Sequence, residues 1–146
     1  MIVREVEPKD AAQWLEMRCL LWPDGAEDHE AEIRAYFVAP TEPLIVFVAE
    51  PESEKLAGFV EVNIRNYAED CESNNVGYIE GWFVRETCRR QDIGRALVKA
   101  AEDWARAQGC IEMASDCVLD NEVSLAAHLA LNYEATVRLI CFRKSL

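Results

Sequence analysis

The 146-residue sequence has no apolar run approaching the roughly 20 residues of a membrane-crossing helix, so a spanning helix is excluded. It has no Cys-x-x-Cys pair, and its two histidines lie far from each other, so no metal centre is expected from Cys19, Cys71, Cys88, Cys110, Cys117 and Cys141. Repeats, low-complexity stretches and a Gly/Ser linker are missing too, which points to one domain spanning 1–146. Positive charge is scarce. Fifteen Lys and Arg stand against 27 Asp and Glu, a net charge of −12. A nucleic-acid partner would call for a basic footprint and is not expected. A cationic small molecule would be attracted by such a chain, although acidity alone also serves solubility. The start, Met1-Ile2-Val3-Arg4-Glu5-Val6, alternates apolar and charged residues. It reads as a first strand and not as a signal peptide, so a cytoplasmic location with free thiols is expected.

What is present is a hydrophobic half of the composition, enough for a packed core without metals or disulfides. Pro8 can open a helix, and Trp14, Met17, Arg18 and Leu21 follow at helical spacing as far as Trp22-Pro23. Residues 27–37 carry a weaker helical pattern. The run 44–49 (LIVFVA) and the alternating 56–64 read as two strands of a hairpin around a polar turn at 52–55. Residues 66–75 are polar and read as a loop. The segment 77–84 (GYIEGWFV) reads as a strand in which Gly81 marks a bulge. Residues 93–108 form the clearest helix, with Ile93, Leu97, Ala100, Ala101, Trp104 and Ala107 along one face and Gly109 as its stop. A strand at 111–116, a helix capped near Asn121, and a last strand at 136–142 complete the order βααβββαβαβ. That order implies an α/β fold with a mixed central sheet and flanking helices.

One junction carries chemistry. The strand 77–84 runs through Arg89 and Arg90 into a helix starting at Ile93. A helix start presents unpaired N–H groups and about half a positive charge, and so binds anions. Gly94 and Ala96 are small enough to let a phosphate approach the backbone. Arg89, Arg90 and Arg95 reverse the local sign of charge in an acidic chain. The Gly-x-x-x-x-Gly-Lys-Ser/Thr and Gly-x-Gly-x-x-Gly patterns are both missing. Instead, Gln91-Asp92-Ile93-Gly94-Arg95-Ala96 resembles the Gln/Arg-x-x-Gly-x-Gly/Ala motif of the GCN5-related N-acetyltransferases (GNAT), with the strand before it and the helix after it in matching places. Asp92 departs from the pattern, since many members have glycine there.

The resemblance implies the GNAT acyl-CoA N-acyltransferase fold and acetyl-CoA as the acyl donor. It implies a pantetheine arm beside the strand at Trp82, Phe83 and Val84, and a pyrophosphate on the backbone of Arg90, Gln91, Asp92, Ile93, Gly94 and Arg95. Asn121 resembles an asparagine that contacts the arm; a plain helix cap is the alternative. Leu21-Trp22-Pro23, Glu80-Gly81-Trp82-Phe83-Val84 and Met113-Ala114-Ser115-Asp116 narrow the resemblance to aminoglycoside 6′-N-acetyltransferases. That group implies a polycationic acceptor touched at Trp22, Tyr67, Glu80 and Asp116, a role in antibiotic resistance, and a homodimer formed through C-terminal strands. It often has a histidine soon after Leu-Trp-Pro, where this chain has Asp24-Gly25, and an acidic residue where this chain has Val137.

The expected reaction is attack of a primary amine on the thioester. Glu80 is the candidate base, and Asp116 orients the amine or shares that task. Carboxylates and aromatic faces suit an acceptor carrying several ammonium groups. Each of these residues also has an ordinary reading: a solvated Glu80, a turn-capping Asp116, a core Trp22, a surface Tyr67. Tyr133 and His128 read as packing, His29 as surface, and the cysteines as structural. No residue is identified as the acid for the leaving thiolate. Acetylation of another cationic amine, such as a polyamine or a peptide, and a non-catalytic acyl-CoA sensor are the competing functions.

Overall fold

The computed structural model describes residues 1–39, 44–52 and 55–146. The strands are β1 (Ile2–Glu5), β2 (Ile45–Glu50), β3 (Gly58–Arg65), β4 (Val76–Val84) and β5 (Glu112–Ser115). The helices are α1 (Ala11–Leu21), α2 (Ala26–Val38), α3 (Ile93–Ala107) and α4 (Glu122–Leu129). The strands form one sheet in the order β1-β2-β3-β4-β5. The first four are antiparallel neighbours, while β5 runs parallel to β4. The mixed sheet with flanking helices is the expected architecture. Part of the turn expected at 52–55 lies outside the described residues.

The two faces of the sheet have separate cores. On one face α3 packs Ile93, Leu97, Val98 and Ala101 against Val60, Val62 and Ile79. Removing such side chains from water contributes about 1.5–3 kcal/mol for each large aliphatic group, so this apolar stripe fixes α3 to the sheet. The helix ends where Gly109 takes φ +89°, a left-handed turn that favours glycine. On the other face α1 and α2 cover Val46, Val48 and Phe59 with Trp14, Met17 and Ile33.

Two features of β4 prepare the site. Glu61 pairs with Gly81 and Val62 with Ile79, so Glu80 is the extra residue of a β-bulge. The bulge expected at Gly81 therefore sits one residue earlier. Its partner strand β5 stops pairing at Ile79↔Ser115, while β4 continues to Val84. The sheet thus opens beyond Ile79, and the β4 backbone there is left beside a gap.

The last expected strand is corrected. Residues 133–146 form no regular secondary structure. Ile140 and Phe142 are largely exposed, at 75% and 91%. Alternating apolar residues become a strand only when an edge accepts their N–H and C=O groups, and among the described residues no strand pairs with them.

Candidate active site

The anion cradle is built from backbone. After β4 the chain makes a short 3-10 turn at Glu86–Cys88, and Arg90 and Asp92 then both take left-handed conformations, with φ 61° and 58°. Alternation of left- and right-handed residues turns successive N–H groups toward one concavity, a nest for anions. The first intrahelical bond of α3 runs from Ala96 N to Asp92 O at 2.9 Å. The N–H groups of Ile93, Gly94 and Arg95 precede that ladder and point out of the helix start. The departure at Asp92 gains a physical meaning: it occupies a left-handed cap where glycine is favoured, and aspartate is among the few residues that tolerate it.

The cations at this junction diverge more than their spacing suggests. Arg89 folds back to donate from Nε to the Val84 carbonyl at 3.1 Å. Arg95 reaches the Ala130 carbonyl at 3.4 Å and lies 3.7 Å from Asp92. Gly94 has a second role in packing. A Cβ at Gly94 would meet Trp82 Cζ2 at 2.9 Å, so the missing side chain makes room for an indole ring. The Trp82 indole N–H is buried with no hydrogen-bond partner among the described residues. A buried, unpaired donor beside an anion-binding helix start and an open strand edge fits a polar ligand threaded along β4. Phe83 points to the opposite face, with its ring 6.1 Å from that of Phe59, so only its backbone serves this side. Asn121 caps α4, its Oδ1 accepting from Ser124 N at 3.0 Å.

A histidine joins this side of the sheet. His128 Nδ1 lies 2.7 Å from the Ser124 carbonyl, and Nε2 lies 2.7 Å from Ser115 Oγ. A carbonyl only accepts, so Nδ1 carries a proton and the Ser115 hydroxyl donates to Nε2 in the neutral ring. The imidazole meets Trp82 edge-on at 5.3 Å and Tyr133 at 5.7 Å. It packs, as expected, but it also forms a polar pair at the last paired residue of β5. Tyr133 donates to Glu102 at 3.0 Å, and burial together with that carboxylate pushes its phenol above the ordinary value, which makes it a poor acid.

The opposite face carries carboxylates and rings. Arg65, the last residue of β3, donates to both oxygens of Glu80 at 2.9 and 2.6 Å, and its guanidinium lies 3.6 Å from the centre of the Tyr78 ring. Tyr78 in turn donates its hydroxyl to Asp116. Burial, then the Asp116 carboxylate, pushes the Tyr78 phenol well above its ordinary value. Glu80 and Asp116 are therefore brought onto one face and linked through Arg65 and Tyr78, two residues that the sequence reading did not identify. Tyr78 could have been flagged as a tyrosine inside the motif strand; Arg65 carried no local signal.

Trp22 is half-buried against this face. Gly81 has no side chain because the Trp22 indole occupies the place of its Cβ. The ring also packs beside the Arg18 guanidinium at 5.2 Å and the Phe59 ring at 6.4 Å. Arg18 pairs with Glu61 at 2.9 Å, and Trp14 Nε1 donates to the same carboxylate at 2.9 Å. His29, expected on the surface, is buried. Its Nε2–H donates to the Trp22 carbonyl at 2.9 Å, and the two rings lie 5.9 Å apart. Tyr67 is exposed in the acidic loop, and no contact among the described residues brings it against Glu80 or Asp116. That loop is tied to β5 by Glu112, which accepts from Ser73 N at 2.7 Å and Glu72 N at 3.0 Å.

The chain matches the model of the acetyltransferase (GNAT) family over residues 10–133. It is 50% identical to the aminoglycoside N(6′)-acetyltransferase type 1 of Klebsiella aerogenes, with 99% of this chain and 97% of that protein covered. The Stenotrophomonas maltophilia protein of the same name is 37% identical over 99% of this chain and 93% of its own length. Among solved structures, AAC(6′)-Iy in complex with the bisubstrate analog CoA-S-monomethyl-acetylneamine superposes with a TM-score of 0.90 at 31% identity, covering 99% of this chain and 98% of that one. AAC(6′)-IG from Acinetobacter haemolyticus gives 0.91 at 30% identity, covering 100% and 99%. With the nest before α3, the opened β4 edge and these full-length likenesses together, the chain belongs to the acetyltransferase (GNAT) family.

Proposed function

We propose that this chain, as one domain over 1–146, transfers acetyl from acetyl-CoA to the 6′-amine of an aminoglycoside and so confers resistance to it. The observation that carries the reading is the division of labour across the opened sheet. Backbone N–H groups gather on the α3 side, and two carboxylates with aromatic neighbours gather on the other, with the gap after Ile79↔Ser115 between them. The names of relatives covering the whole chain support the same substrate class.

Acetyl-CoA, a substrate here, supplies an activated acyl group. The residues present fit it: the backbone of Arg90, Gln91, Asp92, Ile93, Gly94 and Arg95 takes the pyrophosphate, with Arg89 and Ala96 flanking. Trp82, Phe83 and Val84 offer their backbone to the arm, the Trp82 indole N–H adds a donor, and Asn121 Nδ2 is near the entry to α4. Trp22 and Tyr67 wall the acceptor, and Asp116 orients its ammonium groups. Glu80 accepts the proton that the ammonium must lose before its lone pair attacks. Backbone N–H groups near Val84 polarise the thioester carbonyl. The attacking nitrogen sheds a second proton as it becomes an amide, which balances the proton taken up by the departing thiolate.

Two further assignments belong to this reading. The exposed Val137, Leu139, Ile140 and Phe142 suit a homodimer in which the C-terminal segment finds its missing strand edge on a second copy. The six free cysteines suit the reducing cytoplasm. Among the described residues no helix is long and apolar enough to cross a membrane.

The decisive test measures thiol release from acetyl-CoA across a panel of aminoglycosides, polyamines and peptides. Turnover is expected with aminoglycosides bearing a 6′-amine and not with those bearing a 6′-hydroxyl. Turnover confined to peptides, or efficient use of the hydroxyl compounds, overturns the assignment. Sedimentation of the full chain and of a form ending at Glu134 tests the dimer; a monomeric full chain, or a shortened form that is still dimeric, overturns it.

A further inference from the structure

We infer that Arg65 is an internal competitor for the acceptor subsite: its guanidinium occupies, in the free protein, the place on Glu80 and Tyr78 that an ammonium group of the acceptor takes. This rests on the reading that Glu80 faces the acceptor.

The geometry is that of a cation recognised by its receptor. The guanidinium makes a bidentate pair with the Glu80 carboxylate and lies over an aromatic face, 3.6 Å from the Tyr78 ring centre. A carboxylate with an aromatic face beside it is also the environment that binds a ligand ammonium. Asp116 lies at the far side of the same ring, holding the Tyr78 hydroxyl, so the negative field continues beyond the guanidinium. Among the groups described on this face, Glu80 and Asp116 are the negative ones, Arg65 the positive one and Tyr78 the phenol.

The pair is placed to be opened. Glu80 is the bulged residue, so its carboxylate leaves the regular ladder, and Arg65 is the last residue of β3 with a long side chain reaching back along the face. The Arg65 and Glu80 side chains are 42% and 26% exposed. A solvent-facing ion pair of this kind adds little to stability, so an arriving ammonium displaces it at small cost. The displaced guanidinium has water to enter. In the free protein Arg65 keeps Glu80 paired; in the complex the acceptor replaces it and Glu80 faces the amine that must be deprotonated. Arg65 thereby weakens acceptor binding while leaving donor binding alone.

The competitor predicts a change opposite to the usual effect of removing an active-site cation contact. Neamine binding is measured by calorimetry at low ionic strength for the wild type, Arg65→Gln, Glu80→Gln and the double variant, with coenzyme A binding measured on each. Arg65→Gln is expected to tighten neamine about two- to fivefold, the range for loss of one exposed ion pair, with coenzyme A affinity unchanged. In the Glu80→Gln background the same substitution should have no effect. Unchanged or weaker neamine binding in Arg65→Gln, with Glu80→Gln still weakening it, overturns the competitor and leaves the acceptor site standing. Neamine binding indifferent to Glu80→Gln overturns the placement of the site itself, and the competitor with it. Retained coenzyme A binding reports that each variant is folded.

Discussion

The two halves of the site are made of different material. The half proposed for the donor is a nest of backbone N–H groups at the start of α3, backed by a buried indole and a histidine–serine pair. The half proposed for the acceptor is a surface of side chains that already pair with one another, Arg65 with Glu80 and Tyr78 with Asp116. Backbone donors bind whatever carries phosphate and depend little on residue identity. Side-chain carboxylates on exposed rings discriminate among cations and change with single substitutions. Substitutions should therefore separate the two halves cleanly, with donor affinity insensitive to the acceptor face and the reverse.

The largest separation is expected from Glu80→Gln. It should lower kcat/KM by about 100-fold or more through loss of the base, with coenzyme A affinity unchanged. Equal loss of both would join the halves into one structural unit. Gly94→Val comes next and acts on the other half. Its side chain collides with the Trp82 indole, an overpacking that costs about 1–3 kcal/mol. Coenzyme A binding and the melting temperature should fall together, while neamine binding by the remaining folded protein persists. Asp116→Asn should raise the acceptor KM by about tenfold, near 1.4 kcal/mol, and leave the donor KM alone.

Asp92→Gly should sharpen the comparison by improving the donor half. It relieves a left-handed residue and removes a negative charge beside the pyrophosphate, so coenzyme A should bind about two- to fivefold tighter. Unchanged affinity would mean that the nest is not where the pyrophosphate sits. The smallest effect is a pH dependence of the acceptor loop. Ser73 and the Glu72 N–H hold the Glu112 carboxylate below its ordinary value of 4.5. Folding therefore favours the ionised form: the tie is complete above that ordinary value and is lost as pH falls through the lower folded one. Amide exchange at Glu72 and Ser73 should quicken in that acid window before the exchange of α3 does.

Legibility followed the range of the forces. Most of the face of α3 (Ile93, Leu97 and Ala101, though not the exposed Ala107), its stop at Gly109 and the cap at Asn121 were readable because helix periodicity and capping act within a few residues. The apolar run of β2 and the alternating β3 were readable for the same reason. The apolar alternation at 136–142 misled, because it specifies a face and not a partner edge. His29 was read as surface because a polar residue in a weak helical pattern gives no sign of the carbonyl waiting for it across the turn. That Gly94 also makes room for an indole from β4 was not readable, because the two residues meet only in the folded chain.

The sequence by itself determined the βα junction of the donor cradle, the residues of its motif and the excess of negative charge that suits a cationic acceptor. All of these are properties of short segments or of composition. Only the tertiary structure decided that Glu80 is the bulged residue, that Arg65 reaches across Tyr78 to hold it, that Ser115 and His128 meet at the mouth of the gap, and that Trp22 fills the place of a Gly81 side chain. Each of those contacts joins residues from different elements, and their register is set by how the sheet and helices pack.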